Sequence, residues 1–269
     1  MQAAKSNKNI SMALRVICYL LLFEYLLFII SGASFSYLQG NGFFSIEVDP
    51  VSWGFYLLGI PQFITSHPGA SVSLDIITVT LLILFSRNPF NNKIAIPLFL
   101  LLLLFYVTLM GHLAHHNYQF GYCLLLLPFM FKKAVNRNFA YDAVRYFALF
   151  FYFSAGLLKI TGNSWADPAH FSHLVSGQFT PYYLEHNTGF RTMVNLYFSG
   201  LPKPGYVLFL LSIILEIAAV VGFFTKKFDT WLCILILLFH FGNWFLMDIG
   251  PWGQVAFVCF VFSRQKFAD

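Results

Sequence analysis

Charge is what this sequence has least of. Asp, Glu, Lys and Arg make up 10% of its 269 residues, against about 25% in water-soluble domains, so a water-facing globule would lack the polar surface to cover its apolar side chains. No long polar stretch interrupts the apolar runs, and no soluble domain is expected. Acid is scarcer than base, 11 residues against 16. The basic residues nevertheless form no stripe with interleaved stacking side chains, which excludes a nucleic-acid surface. Cysteine is scarce too. Cys18, Cys123, Cys233 and Cys259 all fall inside apolar segments, with no CxxC pair, so they read as packing residues rather than a disulfide framework or a thiolate metal site.

What is abundant is apolar: 58% of residues are hydrophobic and the mean hydropathy is +0.70. Apolar runs recur at roughly the twenty-residue scale that a bilayer demands of a helix. The expected fold is an all-α integral membrane protein, one membrane domain over residues 1–269, with about eight transmembrane helices near 12–32, 71–86, 94–113, 119–131, 143–160, 206–224, 230–247 and 253–263. Lys5, Lys8 and Arg15 before an apolar run ending in "SGASFS" resemble a leader peptide, but Glu24 in mid-run suits a retained helix better.

Basic residues choose the threading. With eight spans and a cytoplasmic N-terminus, all but three of the 16 Lys and Arg lie inside, leaving Lys159, Arg191 and Lys203 outside. This orientation places both termini in the cytoplasm. The outer connections 33–70 and 161–205 are expected to be ordered caps, with short helices lying on the helical bundle.

Seven histidines, His67, His112, His115, His116, His170, His173 and His186, fall at or beyond the outer surface in this threading; His240 lies deep in a span. Histidine exchanges protons near neutral pH, so this layer suggests a proton-handling site, beside the alternative that polar residues merely collect at helix ends. "HLAHH" at 112–116 puts three histidines on one helical face and resembles a single box of the membrane desaturases and hydroxylases, which need several boxes for two irons. Lys159 closes the apolar run "FFYFSAGLLK". An ionisable group in a span costs about 3 kcal/mol unless it finds a partner or a cavity. It either snorkels to the surface or serves, when desolvated, as a neutral amine base. Glu24, Asp75 and Glu216 are expected to be buried as hydrogen-bonding or ion-pair partners.

Three stretches, "YFSAGLLKITGNSW" (152–165), "HHNYQFG" (115–121) and "FHFGNWFLMDIG" (239–250), together resemble the membrane domain of the vitamin K-dependent gamma-carboxylase family, also called the HTTM domain. The resemblance covers about residues 12–263. It implies that Lys159 is the base toward a hydroquinone, that His116 and His240 handle protons, and that Asn243 lines the same cavity as His240. Tyr152, Phe153, Trp165 and His115 would surround the cofactor, with Phe150 and Phe151 extending an aromatic wall.

The implied cofactor is reduced vitamin K or another quinol, with molecular oxygen and carbon dioxide as co-substrates and no metal. The implied activity is that of a quinol-dependent oxidoreductase or carbon–carbon lyase at the outer face of a bacterial inner membrane. The likeness is to compact bacterial-type members without the large luminal domain, and the partners implied are the lipid bilayer, a lipophilic quinone and a secreted peptide or protein. "GNSW" replaces a more acidic turn of the carboxylase. A different class of function is a non-enzymatic maturation factor or chaperone for a secreted peptide. A transporter would show inverted repeats, which are not evident. In an enzyme Lys159, His116 and His240 should line one cavity.

Overall fold

Proline marks several helix starts in this chain. Pro61 and Pro68 sit in the first turns of their helices, where a missing N–H costs nothing. The computed structural model describes residues 15, 18–30, 32–38, 50–112, 123–185, 188–247, 252–263 and 267, and every regular element among them is helical. Five helices, Pro68–Arg87, Asn92–Leu109, Ala134–Thr161, Lys203–Phe224 and Asp229–Met247, are long and apolar enough to cross a membrane. The chain is an all-helical, multi-pass membrane protein.

It divides into two compact units. The first comprises residues up to Val144 with Trp252–Phe260 and the final residues. Its elements are α1 (Cys18–Ile30), α2 (Pro50–Leu57), α3 (Ile60–Ser66), α4 (Pro68–Arg87), α5 (Asn92–His112), a seven-residue 3-10 helix (Leu124–Met130) and the beginning of α6 (Ala134–Thr161).

Asp75 on α4 organises the turn after α1. Its carboxylate accepts from Tyr25 Oη (2.7 Å), Ser34 Oγ (3.1 Å) and the backbone N–H groups of Phe35 and Ser36. Four donors offset the cost of burying this charge. Phe105 on α5 packs against Tyr25, Phe28 and Phe35 around the same turn. Glu24 accepts from the backbone N–H of Gly253 at 2.9 Å. Both acids are buried structural partners, as their positions in apolar runs implied.

The second unit comprises Arg145–Pro251 and a short piece after it. After α6 come a 3-10 turn (Ser164–Ala166), α7 (His170–Glu185), α8 (Phe190–Gly200), α9 (Pro202–Ala218), α10 (Val221–Phe224) and α11 (Asp229–Met247). The last helix, α12 (Trp252–Val261), belongs mostly to the first unit. Within the second unit Arg145 and Tyr152 of α6 pair with Asp229 and His240 of α11, so these two helices run parallel. α9 and α10 return between them: Gly156 of α6 abuts Glu216, while Leu149, a helical step back, abuts Gly222. Its apolar core joins Phe171 and Val175 of α7 to Phe209 and Ile213 of α9, with Leu246 and Met247 of α11 alongside.

Two of the expected spans, those near 12–32 and 119–131, are described only in part. The segments near 12–32, 119–131 and 253–263 contain, as described, α1, the 3-10 helix and the ten-residue α12. The 3-10 helix and α12 reach about 14–15 Å each, half of the hydrocarbon thickness of ~30 Å. The span expected at 143–160 is longer, starting at Ala134. Arg137, Asp142 and Arg145 make its first turns look like a loop in sequence. Two of them are satisfied within the protein: Arg137 donates Nε to the Phe131 carbonyl and lies over the Phe90 ring, and Arg145 is buried in an ion pair with Asp229 of a distant helix. The described residues of the connection 161–205 include α7 and α8 as short helices.

Candidate active site

Arg145, Tyr152 and Lys159 recur at seven-residue intervals on α6. Seven residues are almost two helical turns, so the three side chains form one stripe with rungs about 10 Å apart. Each rung is bonded to another helix. Arg145, 1% exposed, grips Asp229 with Nε at 3.1 Å and a terminal nitrogen at 2.6 Å, and donates to the Gly222 carbonyl at 2.9 Å. Tyr152 Oη and His240 Nε2 share a hydrogen bond of 2.7 Å. Lys159 Nζ donates to both carboxylate oxygens of Glu216, at 2.7 and 2.8 Å.

The Lys159 rung has the features of a reactive site. Its side chain is 30% exposed and that of Glu216 4%, so the pair is buried on the acid's side and open on the amine's. Nζ lies 5.8 Å from the centre of the Phe209 ring and 5.7 Å from that of Phe239, within cation–π reach of both. Phe239 in turn contacts the His240 ring at 5.3 Å, and His170 contacts Phe209 at 5.2 Å. Lys159, Glu216, Phe239, His240 and Tyr152 thus form one contiguous cluster.

Gly156 allows this pairing. A Cβ there would lie 2.9 Å from Glu216 Cβ and 3.1 Å from the Ile217 backbone nitrogen, and backbone cannot yield as a flexible side-chain tip can. The glycine one turn before Lys159 is therefore the notch into which α9 sinks, bringing Glu216 under the amine. Gly156→Ala should destabilise the protein by about 1–3 kcal/mol through overpacking, whereas Gly177→Ala on α7, with open space around it, should be neutral or stabilising. Thermal unfolding of the two variants in detergent checks this; equal melting temperatures would mean that α6 and α9 do not approach so closely.

The other expected site residues are distributed as follows. Tyr152 and His240 are brought together, and Asn243, half-buried, follows His240 by one turn of α11. Phe153 is half-buried, while Phe150 and Phe151 face outward. Trp165 is exposed; its indole donates to the Ile160 carbonyl and its own carbonyl accepts from Tyr206 Oη, so it caps the end of α6. His115 and His116 lie outside the described residues, which include only His112 of "HLAHH". Among the described residues no group of three or more His, Cys, Asp or Glu is placed to hold a metal. Sequence reading took Glu216 as a buried partner without pairing it to Lys159, and it passed over Gly156. The sevenfold recurrence of Arg145, Tyr152 and Lys159 was the available signal.

Lys159 ends its own helix, yet it does not lie at the ends of its neighbours. Phe239 is in the middle of α11 and Glu216 well inside the Lys203–Phe224 span. Residues 240–247 of α11 carry on for about 12 Å past this level, and residues 203–215 for about 20 Å. Lys159 therefore sits beside the interior of α9 and α11 rather than beside their ends. The fold and this cluster define a multi-pass helical membrane protein with an ion-paired lysine inside its second unit. No family model matches the chain, and comparison with the curated proteins and the solved structures finds no match.

Proposed function

We propose that this protein is an integral membrane enzyme that uses a reduced quinone, vitamin K hydroquinone or another lipophilic quinol, to generate a base strong enough to take a proton from carbon. The observation that carries the reading is the half-open Lys159–Glu216 pair between two aromatic rings, joined through Phe239 to the Tyr152–His240 hydrogen bond. An amphipathic phenol suits this donor set: ring faces for its ring, and a proton acceptor for its hydroxyl. The resemblance of "AGLLK" and "FHFGN" to the gamma-carboxylase family points the same way.

When bound, the quinol would supply reducing equivalents to molecular oxygen, one quinol and one O2 yielding one quinone epoxide and one water, with carbon dioxide as co-substrate if the deprotonated carbon is carboxylated. The chain's own contribution is proton handling and orientation. The Lys159–Glu216 pair accepts one hydroxyl proton, at Nζ if the amine is the neutral partner and at the carboxylate if Nζ already holds the proton. Either way an ammonium is left facing the phenolate. Phe209 and Phe239 hold the ring, and Tyr152 and His240 keep a second exchangeable proton behind Phe239. His116 is assigned a later proton-handling role by the resemblance alone, and the acceptor carbon belongs to a secreted peptide or protein.

The test is direct. The purified protein in liposomes, given reduced naphthoquinone and oxygen, should form the epoxide, measured by chromatography. Consumption no faster than in protein-free liposomes would sink the reading.

The eight-crossing threading, with both termini in the cytoplasm of a bacterial cell, belongs to the same proposal, because it gathers all but Lys159, Arg191 and Lys203 of the basic residues on one side. A cysteine placed at position 3 should be protected from impermeant maleimide in intact cells; its labelling would reverse the orientation.

A further inference from the structure

The helix α8 is built inside out. Its polar residues Arg191, Thr192 and Asn195 point into the protein, with Thr192 and Asn195 buried, whereas Phe190, Met193, Leu196 and Tyr197 point away from it, Phe190 and Met193 being 75% and 69% exposed. A helix resting on a membrane protein from the water side would show the reverse pattern, apolar face down and polar face out. Arg191, the one formal charge on α8, is fully engaged inward: it donates to the carbonyls of Trp244 and Phe245 and lies over the rings of Phe179 and Trp244.

The partners of those inward groups indicate depth. Arg191 and Asn195 between them bond the carbonyls of Trp244, Phe245 and Leu246, in the last described turn of α11. A helix that ended in water would leave these carbonyls to the solvent. In hydrocarbon each would cost several kcal/mol if left unpaired, and only protein groups can satisfy them.

The packing of α7 agrees. Phe171 and Val175 pack on Phe209 and Ile213, and Ser172 Oγ donates to the Phe198 carbonyl of α8. The Phe209 and Ile213 contacts fall on the stretch of α9 that continues past Lys159, with Leu246 and Met247 of α11 alongside, and the serine bond ties α7 to α8. Where α6 stops, α7 and α8 take its place beside the remaining length of two membrane-crossing helices. On the same stretches Val207, Leu211 and Ile214 of α9 and Phe241 of α11 also face outward, continuing the apolar surface of α8.

We propose that α7 and α8 form a re-entrant helical pair immersed in the leaflet at the C-terminal end of α11, with the Phe190, Met193, Leu196 and Tyr197 face of α8 against lipid acyl chains. The segment 161–205 is then part of the membrane-embedded wall, and the Lys159 cluster opens toward lipid rather than toward a water-filled vestibule.

Nitroxide labels at Met193→Cys and Leu196→Cys test this in the full chain reconstituted into phosphatidylcholine–phosphatidylglycerol vesicles. The partly exposed native Cys233 and Cys259 are replaced by alanine. A label at Leu238→Cys, on the exposed face of α11, is the reference for lipid. Power saturation should show both α8 labels mobile, with collisions with oxygen exceeding those with a water-soluble nickel chelate to the same degree as at the reference. Nickel collisions in excess of oxygen would put α8 in water and overturn the proposal. Immobilised labels reached by neither reagent would overturn it as well, since another protein surface, a second copy or a peptide, would then cover the face. All three substitutions are at exposed positions, so loss of the fold does not cloud the outcome.

Discussion

Lys159→Ala is expected to lower quinol turnover by about 10²- to 10⁴-fold, the range that a positioned acid–base group contributes. The loss should appear in single-turnover epoxide formation by the reconstituted protein. The variant also strips the cation from Glu216, which is 4% exposed and bonded to Nζ through both oxygens. Leaving that acid unpaired costs about 1–3 kcal/mol, so a modest fall in melting temperature should accompany the loss of activity. Lys159→Ala with Glu216→Gln removes the uncompensated acid and should recover stability without recovering turnover, which separates folding from chemistry.

Two further experiments divide the proton from the charge. Small primary amines should partly restore Lys159→Ala, because the missing group is a base with 30% of its side chain accessible. Lys159→Arg keeps a cation able to fork onto Glu216, yet a guanidinium does not give up its proton. If the amine is the acceptor, the arginine variant is inactive. Full activity in that variant would assign the proton to Glu216 and leave Lys159 as a fixed positive charge.

The largest effect on stability is expected at the opposite end of the same stripe. Arg145 and Asp229 are each 1% exposed and joined by two hydrogen bonds, with a third from Arg145 to the Gly222 carbonyl. Arg145→Ala or Asp229→Ala strands a buried charge and should cost about 3–5 kcal/mol. Replacing both by apolar residues of similar volume, Arg145→Met with Asp229→Leu, should be far milder than either single change, because the desolvation penalty disappears with the charges. Denaturation midpoints of Arg145→Met, Asp229→Leu and the two combined, measured in one detergent, form a double-mutant cycle. Additive single effects would mean that the two side chains do not depend on each other.

Composition and apolar periodicity by themselves determined that this chain is helical and multi-pass, because continuous apolar runs near twenty residues fit bilayer-crossing helices, whereas barrel strands are about half as long and alternate. They also marked Glu24, Asp75 and Glu216 as buried, since an acid in an apolar run must find donors. Pairings were not legible. Lys159 is 57 residues from Glu216, Tyr152 is 88 from His240 and Arg145 is 84 from Asp229, and no local pattern specifies which buried groups meet across such separations.

Helix extents failed where charge and burial disagreed: α6 begins at Ala134 through residues that look like a loop, because Arg145 is neutralised by an acid from a distant helix. Lys159 closes an apolar run and so resembles a boundary residue, yet its partner Glu216 and its neighbour Phe239 lie inside their own helices, and α7 and α8 pack beside α9 and α11 past the end of α6. The distribution of apolar residues decides that a segment prefers lipid. Which side chain rests against which neighbour, and at what depth, is settled only by tertiary packing, because burying polar groups is affordable only where partners from elsewhere in the chain arrive to meet them.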